Sequence, residues 1–415
     1  MVTVGQLVRG SGGSVLQLSM RRVHDLVAFC LPYELEDVVA EVTGADRVEV
    51  ANDRPLEFAR RMYKLGRLAT RSRRLARAMV PRLGATALTR DYDLFLPVFN
   101  NAYELFALHA VPDWRQRCRV AACFISEVWD YDIPEYLLEL LADFDHIFLA
   151  SYHPTQDVAR IVGRPCTYLP LAVDVLRFAP YPSPPWRSID VCNIGRRSPV
   201  THAALLRLAR EGRIFYYYDT VRASGEGGRQ MTFSVGNASE HRLLLANLLK
   251  RSRYYVANRS RVNEPEIVGG KEEISSRFYE GVAAGAVLLG EPPGSDEFRR
   301  QFDWQDAVIR LSFDSPDAGE IMAAIDANPR RIERIRRDNV CSAALRHDWV
   351  HRLHALFDTL RIRPTEAMLA REERLRSLAA LAREAPGDAA APPPRSAAGD
   401  APDVIGQRQH RGQPG

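Results

Sequence analysis

The stretch EEISSRFYEGVAAGAVLLG, residues 272–290, predicts a short helix that runs directly into a strand. Ser275 and Ser276 belong to the residue types that cap the start of a helix. The small residues at 283–285 let the helix pack closely on a sheet, and the apolar run at 286–290 is typical of a buried parallel strand. This stretch therefore predicts one helix–strand unit of a parallel sheet that is covered by helices.

The same alternation of helices with apolar strands continues on both sides of this stretch. Further strands in the second half are predicted at 188–195, 213–219, 253–260 and 306–311. The first half predicts strands at 25–32, 45–51, 92–99, 118–129, 146–153 and 166–174, whereas residues 1–24 give no clear prediction. Strands separated by helices indicate parallel sheets with helices on both faces.

The two series of strands are divided by APYPSPP at 179–185, whose prolines suit a stiff linker. We therefore predict an α/β protein with two Rossmann-like domains, at 1–178 and 186–362, and a helical extension at 363–385. Residues 386–415 are rich in Pro, Ala and Gly, and this composition predicts a disordered tail.

The composition is that of an ordinary globular protein, with 46% hydrophobic and 26% charged residues among 415. A formal net charge of +4 is too small to indicate a nucleic-acid partner. The six cysteines form no CxxC pair and fall mostly in apolar runs, which favours buried reduced thiols. No apolar stretch resembles a signal peptide or a membrane span, so we expect a cytoplasmic protein.

Glu272 and Glu280 are eight residues apart, so a continuous helix would bring both carboxylates to roughly one face. A carboxylate can accept hydrogen bonds from both hydroxyls of a ribose, and Glu280 suits that role. Lys271, Arg277 and the free N–H groups at a helix start near Ser275 favour a diphosphate. On spacing alone, however, a solvent-exposed helix face explains the two glutamates better than a binding site does.

The run RFYEGVAAGAVLLG, residues 277–290, resembles the R-x-x-E-x-x-A-x-G-x-x-L-L pattern of GT-B glycosyltransferases. Within these it resembles the spore-maturation-protein-like branch of the "glycosyl transferases group 1" families. That resemblance implies two Rossmann-like domains facing a cleft. It places the nucleotide sugar on the C-terminal domain and the acceptor mostly on the N-terminal domain.

Other segments extend this resemblance over roughly residues 140–362. YLPLAVDVLRFAP at 168–180 resembles the segment that leads into the second domain. DVCNIGRRSP at 190–199 resembles the first strand and phosphate-side loop of that domain, which makes Gly195, Arg196 and Arg197 candidate donor contacts. The family's closing "H-x-W-x-x-R" pattern occurs as His347, Trp349 and Arg352.

Two departures from the family pattern affect the predicted site. Related retaining enzymes have a lysine a few residues after the Gly-Arg loop, whereas SPVTHAALL at 198–206 has none. Arg197, Lys271 or Arg277 is therefore left to replace it. The residues after Glu272 also differ from the pattern, which leaves its role at the sugar or phosphate less defined than that of Glu280.

The resemblance implies a retaining transfer without a metal or other cofactor, in which basic groups stabilise the leaving diphosphate. Glu127, after a predicted strand, is the candidate carboxylate on the acceptor side. Two DxD sequences, at 91–93 and 130–132, match the metal motif of the other main glycosyltransferase class, but three-residue matches are common. The histidines near predicted strand ends, His109, His146 and His153, are candidates for a sugar contact or a structural role.

Residues 54–82 predict a helical region with many arginines on one side and apolar residues on another. Such a surface is either a solvated rim of the cleft or a docking site on the anionic inner face of a membrane. The second case would suit a lipid-linked acceptor.

The leading hypothesis is thus a sugar transferase that uses a nucleotide-sugar donor and an unidentified acceptor. A nucleotide-sugar epimerase shares the fold and would act on the donor alone. A non-catalytic GT-B-like binding protein is a third alternative, suggested by the altered phosphate loop.

Overall fold

The computed structural model describes residues 5–51, 54–79, 88–129, 135–219, 222–223, 230–231 and 234–385. The predicted tail at 386–415 and the second DxD, at 130–132, lie outside these residues. Within them the chain forms two large, mainly parallel sheets, one in each half.

The first sheet has the order β1-β3-β2-β4-β6-β7-β8, and β5 continues the line of β4 and pairs with β6. All its pairs are parallel except that of β1 with β3. The strands are β1 Gly5–Val8, β2 Val15–Ser19, β3 Asp46–Val50, β4 Tyr92–Phe95, β5 Val98–Asn101, β6 Cys118–Glu127, β7 His146–Leu149 and β8 Cys166–Tyr168.

Seven helices accompany this sheet among the described residues. They are α1 Cys30–Thr43, α2 Arg54–Thr70, α3 Arg73–Ala78, α4 Trp114–Arg117, α5 Glu135–Leu141, α6 Thr155–Val162 and α7 Val175–Phe178. Two 3-10 helices lie at Val27–Phe29 and Ala102–Ala110.

The second sheet is wholly parallel and has the order β10-β9-β13-β14-β15. Its strands are β9 Ile189–Asn193, β10 Tyr216–Tyr218, β13 Ser252–Val256, β14 Val287–Gly290 and β15 Ile309–Arg310, and a small hairpin is formed by β11 Arg222–Ala223 and β12 Gln230–Met231. The helices of this half are α8 Pro199–Arg210, α9 Ala238–Lys250, α10 Pro265–Val268, α11 Ser276–Ala283, α12 Asp296–Gln301, α13 Ala318–Asp326, α14 Pro329–Arg346, α15 Trp349–Thr359 and α16 Glu366–Glu384.

Each sheet has a topological switch point beside its first parallel strand. In the first sheet β2 lies between β3 and β4, and in the second sheet β9 lies between β10 and β13. The connections that leave these strands diverge to opposite sides, which opens a crevice at their carboxyl ends. Ligands of open α/β sheets bind in such crevices.

The last helix ties the two halves together because it leaves the second half and packs on α1 of the first. Thr365, which caps α16, donates a hydrogen bond from Oγ1 to the carbonyl of Val42. The buried Arg371 guanidinium pairs with Asp174 and Asp348 at 2.6 and 2.8 Å. One apolar core accordingly includes residues of both halves.

The predicted α/β, GT-B-like class with two Rossmann-like units is confirmed, and the predicted strand at 25–32 is wrong. Residues 27–29 form a 3-10 helix, and α1 begins at Cys30. The first parallel strand is instead β2, which lies in the stretch without a prediction. Short apolar runs fit a strand or a buried helix equally well, and Pro32 occupies the first turn of α1, where its missing N–H costs nothing.

Candidate active site

The carboxyl edges of the two sheets lie against each other. The Glu127 carboxylate, at the end of β6, lies 3.5 Å from Arg261 in the second half. Glu273 accepts hydrogen bonds from the backbone N–H groups of Tyr152 and His153, each at 3.0 Å. A cleft lies between the two halves beside these contacts. Each of its walls carries the switch-point loops of one sheet.

The loop that follows β9 supplies the basic residues of the second wall. Gly195 has φ +75°, a conformation that glycine adopts without steric cost. A Cβ at this position would lie 2.2 Å from the Arg277 guanidinium, so a larger residue would push that side chain aside. Arg277 donates from Nε to the carbonyl of Ile194 at 3.2 Å. The sequence-predicted residues Gly195 and Arg277 are thus brought together.

The two arginines after Gly195 are both paired with acidic residues of the same half. Arg196 lies 2.9 Å from Glu264. Arg197 pairs closely with Asp219, and both oxygens of that carboxylate also accept the Gly195 N–H, at 3.0 and 2.9 Å. The charges of Arg196 and Arg197 are therefore balanced by Glu264 and Asp219.

Helix α11 points its N-terminus at the same region. Ser275 is the N-cap, but its hydroxyl donates to the carbonyl of Asn258 at 2.7 Å and makes no capping bond. Ser276 opens the helix and is half-buried, as is Lys271 in the preceding loop. The Ser275 side chain therefore does not cap the N–H groups at the start of α11, which is the positive end of the helix dipole.

A small pocket lies between the Gly195 loop and the ends of β13 and β15. Its lining includes Asn193, Arg197, Ser198, Thr201, Asn258 and Phe313. Ser198 caps α8 by accepting the N–H groups of Val200 and Thr201. The pocket thus combines polar side chains with the switch point at which a nucleotide is expected.

Glu280 lies deeper than its predicted role requires. Its side chain is 5% exposed, and its Oε1 atom lies 2.5 Å from Nη1 of Arg242. Arg242 also pairs with Glu34 of α1 at 2.7 Å, and Glu34 accepts the indole N–H of Trp349. Glu280 is therefore engaged in a buried charge network that joins the two halves.

Glu272 and its neighbour Glu273 point in different directions. Glu272 accepts the N–H of Gly294 at 2.5 Å and lies 3.4 Å from Arg259, both in the second half. Glu273 instead reaches across the cleft to the loop after β7, and its burial raises the pKa of this carboxyl. Glu273, which contacts the first half across the cleft, is therefore not one of the two glutamates of the predicted motif.

Sequence reasoning also missed a buried carboxyl, that of Glu104, which lies beside the partly exposed His24 on the first wall. Glu104 lies in the 3-10 helix after β5, and its Oε2 atom accepts the N–H of Asn100 at 2.6 Å. Its other carboxylate oxygen, Oε1, is buried without a hydrogen-bond partner and lies 3.7 Å from Nε2 of His24. No motif marks either residue, because they are 80 positions apart in the chain.

The other sequence candidates lie in simpler surroundings. Asp91 and Asp93 sit at the amino end of β4, away from the cleft edge, and pair with Arg117 and Arg119. His146 bonds to the Thr167 hydroxyl at 2.8 Å. No group of three metal-ligating side chains occurs within the described residues. All six cysteines are free thiols, and all but Cys166 are buried.

The second half matches a known family. Residues 221–358 fit the model of the family described as "Glycosyl transferase-like". This chain carries a glycosyl transferase-like domain. The match covers about a third of the chain and confirms the predicted glycosyltransferase resemblance for α9 through α15. Among curated proteins, none matches the sequence.

Several solved structures are similar to this glycosyl transferase-like chain, although at low identity. TarM is 8% identical, with 64% of this chain and 54% of TarM covered and a TM-score of 0.39. The glycotransferase of kitacinnamycin is 13% identical, with 89% and 100% covered and a TM-score of 0.36. The GtfA/B complex bound to UDP and GlcNAc is 11% identical, with 69% and 57% covered and a TM-score of 0.29.

This chain spans about half the length of TarM. All three TM-scores are low. Within the described residues, no helix is long and apolar enough to cross a membrane.

Proposed function

We propose that this chain transfers a sugar from a nucleotide diphosphate to an acceptor, with the diphosphate held between the Gly195 loop and the start of α11. The observation that carries this proposal is the close approach of the Arg277 guanidinium to Gly195, where a Cβ would lie 2.2 Å from it. The loop and the helix start belong to different helix–strand units, and both converge on the switch point beside β9. Backbone N–H groups and a guanidinium in such a crevice suit an anion.

The basic groups of Arg196 and Arg197 are already paired with acidic side chains. Binding of the donor would therefore displace those acidic side chains. The diphosphate would take the place of Asp219 on the Gly195 N–H and on Arg197, and would compete with Glu264 for Arg196. The same donors would stabilise the negative charge that develops on the leaving diphosphate, without a metal. We expect retention of anomeric configuration, as the two-glutamate resemblance implies.

The two motif glutamates have different proposed roles. Glu280 would accept the ribose hydroxyls, which requires that its carboxylate leave Arg242 when the nucleotide binds. Glu272 would contact the sugar or phosphate from the loop before α11, where it lies beside Arg259. Glu127 would face the acceptor across the cleft, because it ends β6 at the edge of the first sheet.

The helices α2 and α3 support the further proposal of a peripheral contact with the inner face of a membrane. Several of their large apolar side chains are exposed, namely Phe58, Leu65, Leu68, Leu75 and Met79. Phe58, Leu65 and Leu68 share a helix face with the exposed Arg61. An exposed helix face that carries both apolar side chains and arginine fits anionic lipid, and a cytoplasmic enzyme docked there would meet a lipid-linked acceptor.

The test of the donor site is a thermal-shift panel of UDP, GDP, CMP and dTDP sugars with wild type, Arg277→Ala and Arg213→Ala. Arg213 is an exposed residue just before β10 and serves as the matched control. At least one nucleotide sugar should stabilise wild type and the control, and Arg277→Ala should lose most of that shift. Absence of any shift in wild type would contradict the proposal.

Product analysis without an acceptor separates the remaining alternatives. An epimerase would convert the donor sugar to its epimer, whereas a transferase would only release the sugar slowly to water. A binding protein would show the thermal shift and no turnover with either water or an added acceptor.

A further inference from the structure

We propose that the hydroxyl of Tyr255 donates a hydrogen bond to the Glu280 carboxylate when that group leaves Arg242, and thereby positions it for the ribose of the donor. This inference rests on the proposed function, to which it adds the residue that sets the preference for a ribonucleotide. Tyr255 would be a positioning residue, because it acts on the nucleotide through Glu280.

The place of Tyr255 in the fold is the first support for this inference. It lies on β13, the middle strand of the second sheet, and packs in one core with residues of α9 and α11. A Cβ added to Gly281 of α11 would lie 2.8 Å from Cδ1 of Tyr255, so the ring lies directly against that helix. Because Gly281 follows Glu280 in the chain, the ring packs beside the turn that carries the proposed ribose carboxylate.

The hydroxyl of Tyr255 is buried and has no hydrogen-bond partner within the part of the chain that the structure describes. The residue as a whole is 0% exposed. A buried hydroxyl without a partner costs free energy, because it has given up its hydrogen bonds to water. Phenylalanine would fill the same space without that cost, so a partner that arrives with a ligand explains the hydroxyl.

The charged groups around this hydroxyl belong to the proposed donor site. Burial raises the pKa of the Tyr255 hydroxyl well above its ordinary value, and among the neighbouring charged groups Glu280 raises this pKa most. Arg277 and Arg242 act in the opposite direction. Tyr255 is therefore a neutral hydrogen-bond donor at neutral pH, and the nearby acceptor that the donor nucleotide would reorient is Glu280.

The pairing of Glu280 with Arg242 explains why the Tyr255 hydroxyl has no acceptor. Oε1 of Glu280 lies 2.5 Å from Nη1 of Arg242, and the same guanidinium holds Glu34. A carboxylate that turned from Arg242 to the ribose would lose a charged partner in the core and would need another donor. The Tyr255 hydroxyl supplies that donor, while Arg242 keeps Glu34 as its partner.

The neighbouring tyrosine on β13 provides a matched control. Successive side chains of a strand point to opposite faces, and Tyr254 packs in a different core from Tyr255. Its hydroxyl donates to Asp326 at 2.6 Å. Tyr254→Phe thus removes a bonded hydroxyl outside the donor site, whereas Tyr255→Phe removes an orphaned hydroxyl beside it.

The test compares ribonucleoside diphosphates with their 2′-deoxy forms. UDP, GDP and CDP and the three 2′-deoxy forms are titrated into the full chain by isothermal titration calorimetry, with wild type, Tyr255→Phe and Tyr254→Phe. Wild type is expected to bind one of the ribonucleotides at least about tenfold more tightly than its 2′-deoxy form, because the 2′-deoxy form leaves a hydrogen bond to a carboxylate unmade.

Tyr255→Phe is expected to narrow that preference to within about twofold while its urea midpoint equals or exceeds that of wild type. Tyr254→Phe should do the reverse, with a lower midpoint and an unchanged preference. A merely structural role of Tyr255 would leave the preference for the ribonucleotide as it is in wild type, and that result would overturn the inference.

Glu280→Gln shows whether Tyr255 acts through Glu280. It should lose the preference for the ribonucleotide, and adding Tyr255→Phe should weaken ribonucleotide binding no further. Additional weakening in the double variant would place the Tyr255 hydroxyl on the nucleotide itself and overturn its positioning role. If Glu280→Gln does not fold, the preference measured with Tyr255→Phe alone decides the inference.

Failure of the inference is distinct from failure of the proposed function. Equal binding of the two forms by wild type would overturn the roles of Tyr255 and Glu280 and leave a donor site in place. Absence of binding of all six nucleotides by wild type would contradict the donor site itself, and the inference with it.

Discussion

Nη1 of Arg242 lies 2.5 Å from Oε1 of Glu280, and the same guanidinium binds Glu34 in the other half of the chain. All three side chains are at most 5% exposed. One arginine therefore pairs with two buried carboxyl groups and joins α1 to α9 and α11.

Replacing Arg242 by methionine should destabilise the fold strongly, because two buried carboxylates would lose their partner. We expect the free energy of unfolding, measured by urea denaturation, to fall by about 3–5 kcal/mol. Arg160→Met removes an exposed pair with Asp157 and should change little. Equal effects of the two substitutions would show that the buried network contributes no more than a surface pair.

Gly195→Ala should weaken nucleotide binding more than it destabilises the fold. Alanine would meet the Arg277 guanidinium and would also carry a left-handed backbone, at a cost of about 1–2 kcal/mol. The matched control is Gly163→Ala, where φ is +68° but no atom lies within 4 Å of the added Cβ. Both variants should lose similar thermal stability, and only Gly195→Ala should lose the nucleotide-induced shift; a retained shift would argue against the donor loop.

Leu65→Ser combined with Leu68→Ser should reduce binding to anionic vesicles about tenfold or more, since two exposed apolar side chains are removed from the lipid contact. The measurement is co-sedimentation with phosphatidylcholine vesicles that contain or lack phosphatidylglycerol. Leu369→Ser with Leu381→Ser, at exposed positions of α16, is the control. Binding of wild type that does not depend on phosphatidylglycerol would rule out the proposed surface.

The contribution of Glu104 to the free energy of unfolding should fall as the pH rises towards 8. The pKa of Glu104 is about 8 in the folded chain and near its ordinary value when unfolded, so the unfolded state alone loses this proton between the two pKa values. Below the pKa of the unfolded state, both states carry the proton and the ionisation of Glu104 does not change the stability. Above that pKa, the free energy of unfolding falls steadily until about pH 8. The size of this fall is on the order of 5 kcal/mol.

Glu104→Gln should therefore flatten the dependence of the urea midpoint on pH between about pH 5 and pH 8. Glu36, whose pKa burial raises to about 7, acts in the same direction and leaves part of the slope in place. A variant with the full wild-type slope would show that Glu104 is ionised in the folded protein.

The sequence was informative where strands are long, apolar and bounded by glycine or proline. The strands β9, β13 and β14 and the helices between them occur where the alternation predicted them. It failed at 25–32, because a run of apolar residues in a chain has no intrinsic preference between a buried helix and a buried strand. Helix α2 also ends earlier than the basic region suggests, at Thr70, before Arg71 with φ +52°.

The candidate site was predictable only in part, because many of its residues are brought together from distant parts of the sequence. Gly195 and Arg277 belong to local patterns of the sequence, and the structure places them together. The acidic side chains around the site, such as Asp219, Glu264 and Glu104, follow from chain topology and leave no mark at short range. The same holds for Arg242 and Glu34, which are separated by 208 positions.

The return of α16 to the first half has a consequence for synthesis of the chain on the ribosome. Helix α1 is made early, yet Thr365 and the buried Arg371 and Met368 reach its neighbourhood only when the last helix has emerged. The N-terminal half cannot complete its packing in the usual order of domain-by-domain folding. Its apolar face must stay covered by other means, or by a chaperone, until almost all of the described chain has been translated.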